Sequence, residues 1–165
     1  MNTQIRVYVG TYAKYNSGSI GGAWLDLYDY DDVYDFITAC HNLHSDESDP
    51  EFMIQDREGF PDRLSSCEYV TQQMIDYAKL DDDDREILAA YVDYSGNDAA
   101  TIDDALDHLC GDYDSFSQIV DDRIDLLLDE YEGFPAAWID EKQIEFDLKC
   151  EGGFHKYKGR IYLFD

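Results

Sequence analysis

Between residues 15 and 141 this chain carries 34 carboxylates against five basic side chains, Arg57, Arg63, Lys79, Arg85 and Arg123, a local balance of −29. The first 14 residues stand at +2 and residues 142–165 at +1, so the 165-residue chain has a formal net charge of −26. Self-repulsion on this scale opposes compaction, and most acidic chains lack the apolar side chains to offset the entropy of ordering. Here 44% of residues are hydrophobic and 15% aromatic. The chain is therefore expected to fold.

The same field repels nucleic acid and anionic membranes and draws in basic surfaces by fast, salt-sensitive association. A macromolecular partner is expected to be basic, with no nucleic acid and no membrane among the partners. No apolar run approaches the roughly 18 residues of a membrane span, and Met1 to Lys14 holds no secretion-type apolar segment, which points to a cytoplasmic protein. Cys40, Cys67, Cys110 and Cys150 are too widely scattered for a disulfide framework or paired zinc ligands, and are read as reduced thiols, mostly buried. Of the 38 acids, 28 are Asp, although Glu is the better helix former. Asp holds its charge on a shorter, stiffer stem, so rows of Asp make a more rigid array.

Along the chain, Ile5 to Tyr12 and Ala23 to Tyr28 read as strands joined by a Gly- and Ser-rich loop, and Val33 to Leu43 as a helix opened by Asp31 and Asp32. Phe52 to Gln55 is a short third strand, closed by Gly59 and Pro61. Ser66 to about Asp93 is helical, with a second helix start at Asp81 to Asp84 and a stop at Ser95-Gly96-Asn97. Thr101 and Asp104 form a capping-box variant ahead of a short apolar stripe that ends before Gly111. The longest helix runs from about Ser115 to Glu132, with an outer face read as almost wholly acidic. Ala137 to Ile139, Ile144 to Cys150 and Arg160 to Phe164 read as strands. The fold class is α+β: an elongated chain of an N-terminal α+β domain (1–61), a helical middle domain (62–100) and a C-terminal α+β domain (101–165). Asp29-Tyr30-Asp31 and Asp112-Tyr113-Asp114, each followed by a Glu-Gly-Phe-Pro, form a weak internal echo that turn chemistry explains as readily as duplication.

Carboxylate pairs are so abundant that proximity of two acids says nothing for glycosidase-type catalysis, and no phosphate loop or nucleophile elbow is present. No catalytic residue, cofactor or metal is expected. Cys40, His41 and His44 lack a second ligand pair. Asp93, Ser95, Asn97, Thr101 and Asp104 match several positions of a calcium loop, but Asp98 stands where its glycine is needed and Asp104 where its bidentate Glu is needed. An acidic calcium-binding or scaffold protein with another basic partner is the principal alternative, and a carboxylate-pair hydrolase a third.

Asp121, Asp125, Asp129 and Glu132 lie four, four and three residues apart on one helical face. They repeat every ~6 Å, with Asp122 and Glu130 alongside, where each strand of duplex DNA presents a charge per ~3.4 Å. Further carboxylates are expected to extend this partner-binding array: Asp29, Asp31, Asp32 and Asp35; Asp81, Asp82, Asp83 and Asp84; Asp103, Asp104 and Asp107; Asp112 and Asp114; and Asp140.

Tyr8 to Leu27 (YVGTYAKYNSGSIGGAWLDL), Asp49 to Pro61 (DPEFMIQDREGFP) and Leu126 to Trp138 (LLLDEYEGFPAAW) closely resemble the ArdA family of antirestriction proteins. The resemblance implies a non-catalytic DNA mimic, carried on mobile genetic elements, that occupies the DNA-binding groove of type I restriction-modification enzymes. It also implies a homodimer of curved, three-domain chains and a short acidic antirestriction motif, best matched here by Asp125 to Asp140 with Asp125, Asp129, Glu130, Glu132 and Asp140. Two bodies so acidic repel, so the dimer is expected to use the least acidic stretch, residues 142–165, through Phe154, Tyr157, Tyr162 and Phe164.

Overall fold

The computed structural model describes residues 4–65, 68–131 and 133–165, without the side chains of Asp62 and Ser65. Ser66, where the middle helical segment was expected to begin, Cys67 and Glu132 lie outside the described residues. The fold is α+β, as the patterning predicts.

Strand β1 (Arg6–Thr11) alternates Val7 and Val9, both fully buried, with Arg6 and Tyr8. It is the centre of an antiparallel sheet of order β2-β1-β3, with β2 at Ala23–Asp26 and β3 at Phe52–Glu58. On the outer face Arg6 lies 4.8 Å over the Trp24 ring and pairs with Glu58 at 2.7 Å. A five-residue helix, α1 (Tyr12–Asn16), follows β1 where a strand end and loop were expected. Helix α2 (Val33–Leu43) starts at Asp32, whose carboxylate accepts the Asp35 N–H, and contributes Phe36 and Cys40 to the core. Gly59 closes this unit with φ +86, and a Cβ there would lie 2.4 Å from the Gln4 carbonyl oxygen, so glycine alone fits.

Helices α3 (Gln72–Lys79) and α4 (Asp82–Ser95) follow, capped by Thr71 and Asp81, and α4 stops at Gly96 in the left-handed region. Helix α5 (Ile102–His108) opens with the Thr101–Asp104 capping box. It runs straight into strand β4 (Leu109–Tyr113), so Leu109 and Gly111 belong to a strand rather than to a helix end. Helix α6 spans Phe116–Glu130 and α7 Glu141–Glu151, before β5 (Phe154–Tyr157) and β6 (Arg160–Phe164). The second sheet has order β4-β6-β5, again antiparallel. Its central strand is the last in sequence, whereas that of the first sheet is the first. The internal echo thus does not extend to topology.

Helix α7 corrects the strand expected at Ile144 to Cys150. Ile144 and Leu148 are four residues apart and pack with Ile119 and Val120 of α6, while Phe146 is 62% exposed. Over five residues an alternating pattern and a helical one share two positions, and only the contact with α6 decides. Ala136–Trp138 is a 3-10 turn rather than a strand, and β5 had no counterpart in the sequence reading.

Both faces of β6 are covered. Tyr162 and Phe164 join a core continuous from Ile5 through α2, α3 and α4, whereas Ile161 packs into the smaller α6–α7 cluster. Phe164 meets Tyr91 of α4 edge-on at 5.3 Å, and the Tyr162 hydroxyl donates to the Glu86 carboxylate at 2.9 Å.

Candidate partner-binding face

The carboxylates expected to meet a partner divide by what each does within the chain. Asp32, Asp81, Asp104 and Asp140 accept backbone N–H groups as helix caps, which satisfies donors a helix start leaves open. Asp31 pairs with Lys79 at 3.1 Å, Asp82 with Arg85 at 3.6 Å, and Asp112 with Arg160. Asp29, Asp35, Asp83, Asp103, Asp107, Asp114, Asp121, Asp122, Asp125, Asp129 and Glu130 are exposed, with no hydrogen bond or ion pair from their carboxylates among the described residues. Glu132 lies outside the described residues. Asp84 is half-buried; burial raises its carboxyl above the usual range, and Asp81 and Asp83 beside it add to the rise. The Thr101 backbone and hydroxyl hold Asp104 below that range.

Helix α6 presents the densest part of this array. Ser115 caps it and Ile119 and Val120 bury its inner side, which turns Asp121, Asp125 and Asp129 outward once per turn. Its only cation, Arg123, reaches across to Glu151 of α7 at 2.9 Å, leaving the outer face without positive charge. The same economy holds elsewhere. Arg6, Lys14, Arg63, Lys79, Lys149 and Arg160 are all paired with carboxylates of this chain.

Two expectations about this region need correction. The outer face of α6 is not wholly acidic: Leu126 is 66% exposed among Asp122, Asp125 and Asp129, and Tyr131, Phe134, Trp138 and Phe146 are exposed on the same α6–α7 unit. Tyr162 and Phe164 cannot supply a dimer surface as they stand, because they are 1% and 2% exposed. Charge alone placed them at a surface, but an apolar side chain in a weakly charged stretch serves equally well in the core. Phe154 and Tyr157 are half-buried, Phe154 edge-on to Phe116 at 5.3 Å.

The residues of the calcium-loop pattern serve other purposes. Asp93 faces His155 at 3.0 Å and Arg63 at 3.8 Å, Ser95 and Asn97 accept N–H groups of the turn after α4, and Thr101 and Asp104 close the α5 cap. His44 finds its partners beyond its own helix. It lies buried with Asp46 and Glu47 around the Lys14 ammonium, at 3.0, 2.9 and 3.5 Å respectively. Its Nδ1 accepts from Lys14, so the other ring nitrogen carries the proton toward the Val9 carbonyl at 3.2 Å. The hydrogen bond from Lys14 lowers the Asp46 carboxyl, and the same bond raises the lysine. A tethered cation thus fills a cluster whose residue types also suit a metal ion. Cys40 is buried, with its thiol pushed up to about 12, but Cys110 and Cys150 are exposed, so the thiols are not mostly buried.

In comparison with known proteins, a family model described as antirestriction protein (ArdA) matches residues 7–161. The comparison with curated proteins found no match.

Proposed function

The chain belongs to the ArdA family of antirestriction proteins, and on that premise we propose that it works as a non-catalytic DNA mimic, competing with DNA for the basic groove of type I restriction-modification enzymes. The observation that carries this reading is the outer face of α6, where Asp121, Asp125 and Asp129 recur on an ordered helix with no compensating cation. A groove that gains affinity by releasing counterions from DNA gains it in the same way from an ordered protein polyanion, and without the cost of deforming a duplex. Asp35, Asp83, Asp103 and Asp107, also exposed and unpaired among the described residues, continue the field beyond α6.

The test is competition between this protein and labelled target DNA for a purified type I enzyme at several salt concentrations. The protein's own affinity for the enzyme, obtained from that competition after correction for the enzyme's affinity for DNA at each salt concentration, is expected to weaken roughly 10³-fold between about 50 and 200 mM salt if some six carboxylates engage. A flat salt response would rule out electrostatic mimicry. Calcium-dependent melting with no displacement of DNA would favour the acidic scaffold reading.

A homodimer doubles the array: two copies carry as much charge as roughly 26 base pairs of duplex at one charge per ~1.7 Å. With Tyr162 and Phe164 in the core, the exposed apolar residues of the α6–α7 unit are the better-placed contact surface, Trp138 at 75% exposure and Leu126 at 66% foremost. Trp138→Asp with Leu126→Asp is expected to give a monomer in sedimentation at micromolar concentration. An intact dimer would return attention to Phe154 and Tyr157.

A further inference from the structure

We propose that a cleft between α3, α4 and the start of α5 accepts an apolar side chain carried on a basic segment of the protein partner, giving a diffuse electrostatic surface one apolar anchor. The proposal rests on the DNA-mimic reading for the nature of that partner. The cleft has a volume of about 490 Å³ and is walled by Tyr77, Leu80, Leu88, Ala100 and Ile102, with room for an aromatic ring.

Its polar groups define the occupant. The Gln73 amide gives one of its two N–H groups to the Ala100 carbonyl at 2.7 Å, and the Thr101 hydroxyl donates to Asp104 at 2.8 Å, so between them these side chains leave a single neutral N–H, too little to offset two carboxylates for an anion. The two exposed polar side chains that remain in the lining are the carboxylates of Asp76 and Asp103. An apolar wall beside two carboxylates rejects phosphates, acidic peptides and lipid headgroups. It suits a ring or aliphatic chain flanked by Lys or Arg, which is the composition of a DNA-binding surface that also inserts apolar side chains between bases. A buried apolar contact inside a rim of weaker ones is the usual form of a binding hot spot. Its contribution differs from that of the carboxylate array because salt does not screen it.

Ala99 is exposed and lines the cleft, so Ala99→Trp fills it without altering charge. In competition with DNA, the variant is expected to need about tenfold more protein at every salt concentration, with an unchanged slope against log salt. Equal potency of the two proteins overturns the proposal. The cleft is tested apart from any restriction enzyme with two acetylated and amidated tripeptides, Lys-Trp-Lys and Lys-Gly-Lys, on the full chain by methyl NMR. The Trp peptide is expected to shift Leu80, Leu88 and Ile102 in the wild type and not in Ala99→Trp, while the Gly peptide leaves them in place. Asp76→Asn with Asp103→Asn, both at the surface, is expected to weaken the Trp peptide several-fold. Equal shifts from both peptides, or no weakening in the Asn pair, overturns the proposal. Seating of the Trp peptide in a wild type that fails to displace DNA would uphold the cleft and overturn the DNA-mimic reading.

Discussion

Replacing Asp121, Asp122, Asp125, Asp129 and Glu130 together by their amides is expected to weaken competition with DNA by about 10²- to 10³-fold, and Asp122→Asn alone by less than about fourfold. All five are exposed, and none makes a hydrogen bond or ion pair through its carboxylate among the described residues. The folded chain therefore has little to lose when they are neutralised. An exposed ion pair contributes roughly 0.5–0.8 kcal/mol in the upper part of its usual range, and five give about 2.5–4 kcal/mol, where 1.4 kcal/mol is tenfold. The amides keep side-chain shape and helix register, so circular dichroism is expected to match the wild type. The slope of log affinity against log salt should fall in step, because fewer counterions are exchanged. A control variant with Asp32, Asp81, Asp104 and Asp140 replaced by Ala should behave in the opposite way, losing stability first, since the side-chain oxygens of these residues cap helices and alanine has none. Complete loss of competition from Asp122→Asn alone would indicate a localised contact in place of a field.

Arg85→Met is expected to lower the melting temperature by about 6–12 °C, although it removes one of only twelve basic side chains from a chain that repels itself. Arg85 is 6% exposed, and its guanidinium donates to the Tyr77 carbonyl at 3.1 Å and to the Ala78 carbonyl, both in the last turn of α3. Asp82 lies 3.6 Å away, and the Tyr77 ring lies beneath the guanidinium at 5.9 Å. Helix C-termini leave carbonyls without intrahelical donors, and a buried cation is a strong partner for them. Methionine keeps much of the stem's packing but donates nothing, so buried carbonyls lose their partner at a cost of about 3 kcal/mol. For a chain of this length each kcal/mol corresponds to roughly 2–4 °C. Burial already pushes the Tyr77 phenol up to about 12, and Arg85 is the nearby charge that opposes that rise, so the variant should titrate Tyr77 later still. Thermal unfolding followed by circular dichroism checks the first expectation; a drop under 2 °C would mean that the carbonyls find other donors.

The sequence by itself determined the sign and placement of the charge, the starts of α2, α4, α5 and α6, and the family. Each is a local property. Asp32, Asp81, Thr101 and Ser115 cap helices because a short oxygen-bearing side chain reaches an N–H two or three residues on, and that geometry needs no tertiary contact. Gly96 ends α4 for an equally local reason, a left-handed backbone that a side chain would strain. Repulsion among 34 carboxylates against five bases keeps most of them at the surface wherever the chain runs. The tertiary structure alone decided which apolar residues are inside. Tyr162 and Phe164 face α4 because β6 is the centre of a sheet whose partner β4 lies some fifty residues earlier, and such pairing is a non-local free energy. The same holds for Ile144 and Leu148, made helical by the groove of α6, and for Leu126 and Trp138, left outside because α6 and α7 fill their shared core without them. Charge is legible residue by residue, whereas burial is a property of what the rest of the chain leaves uncovered.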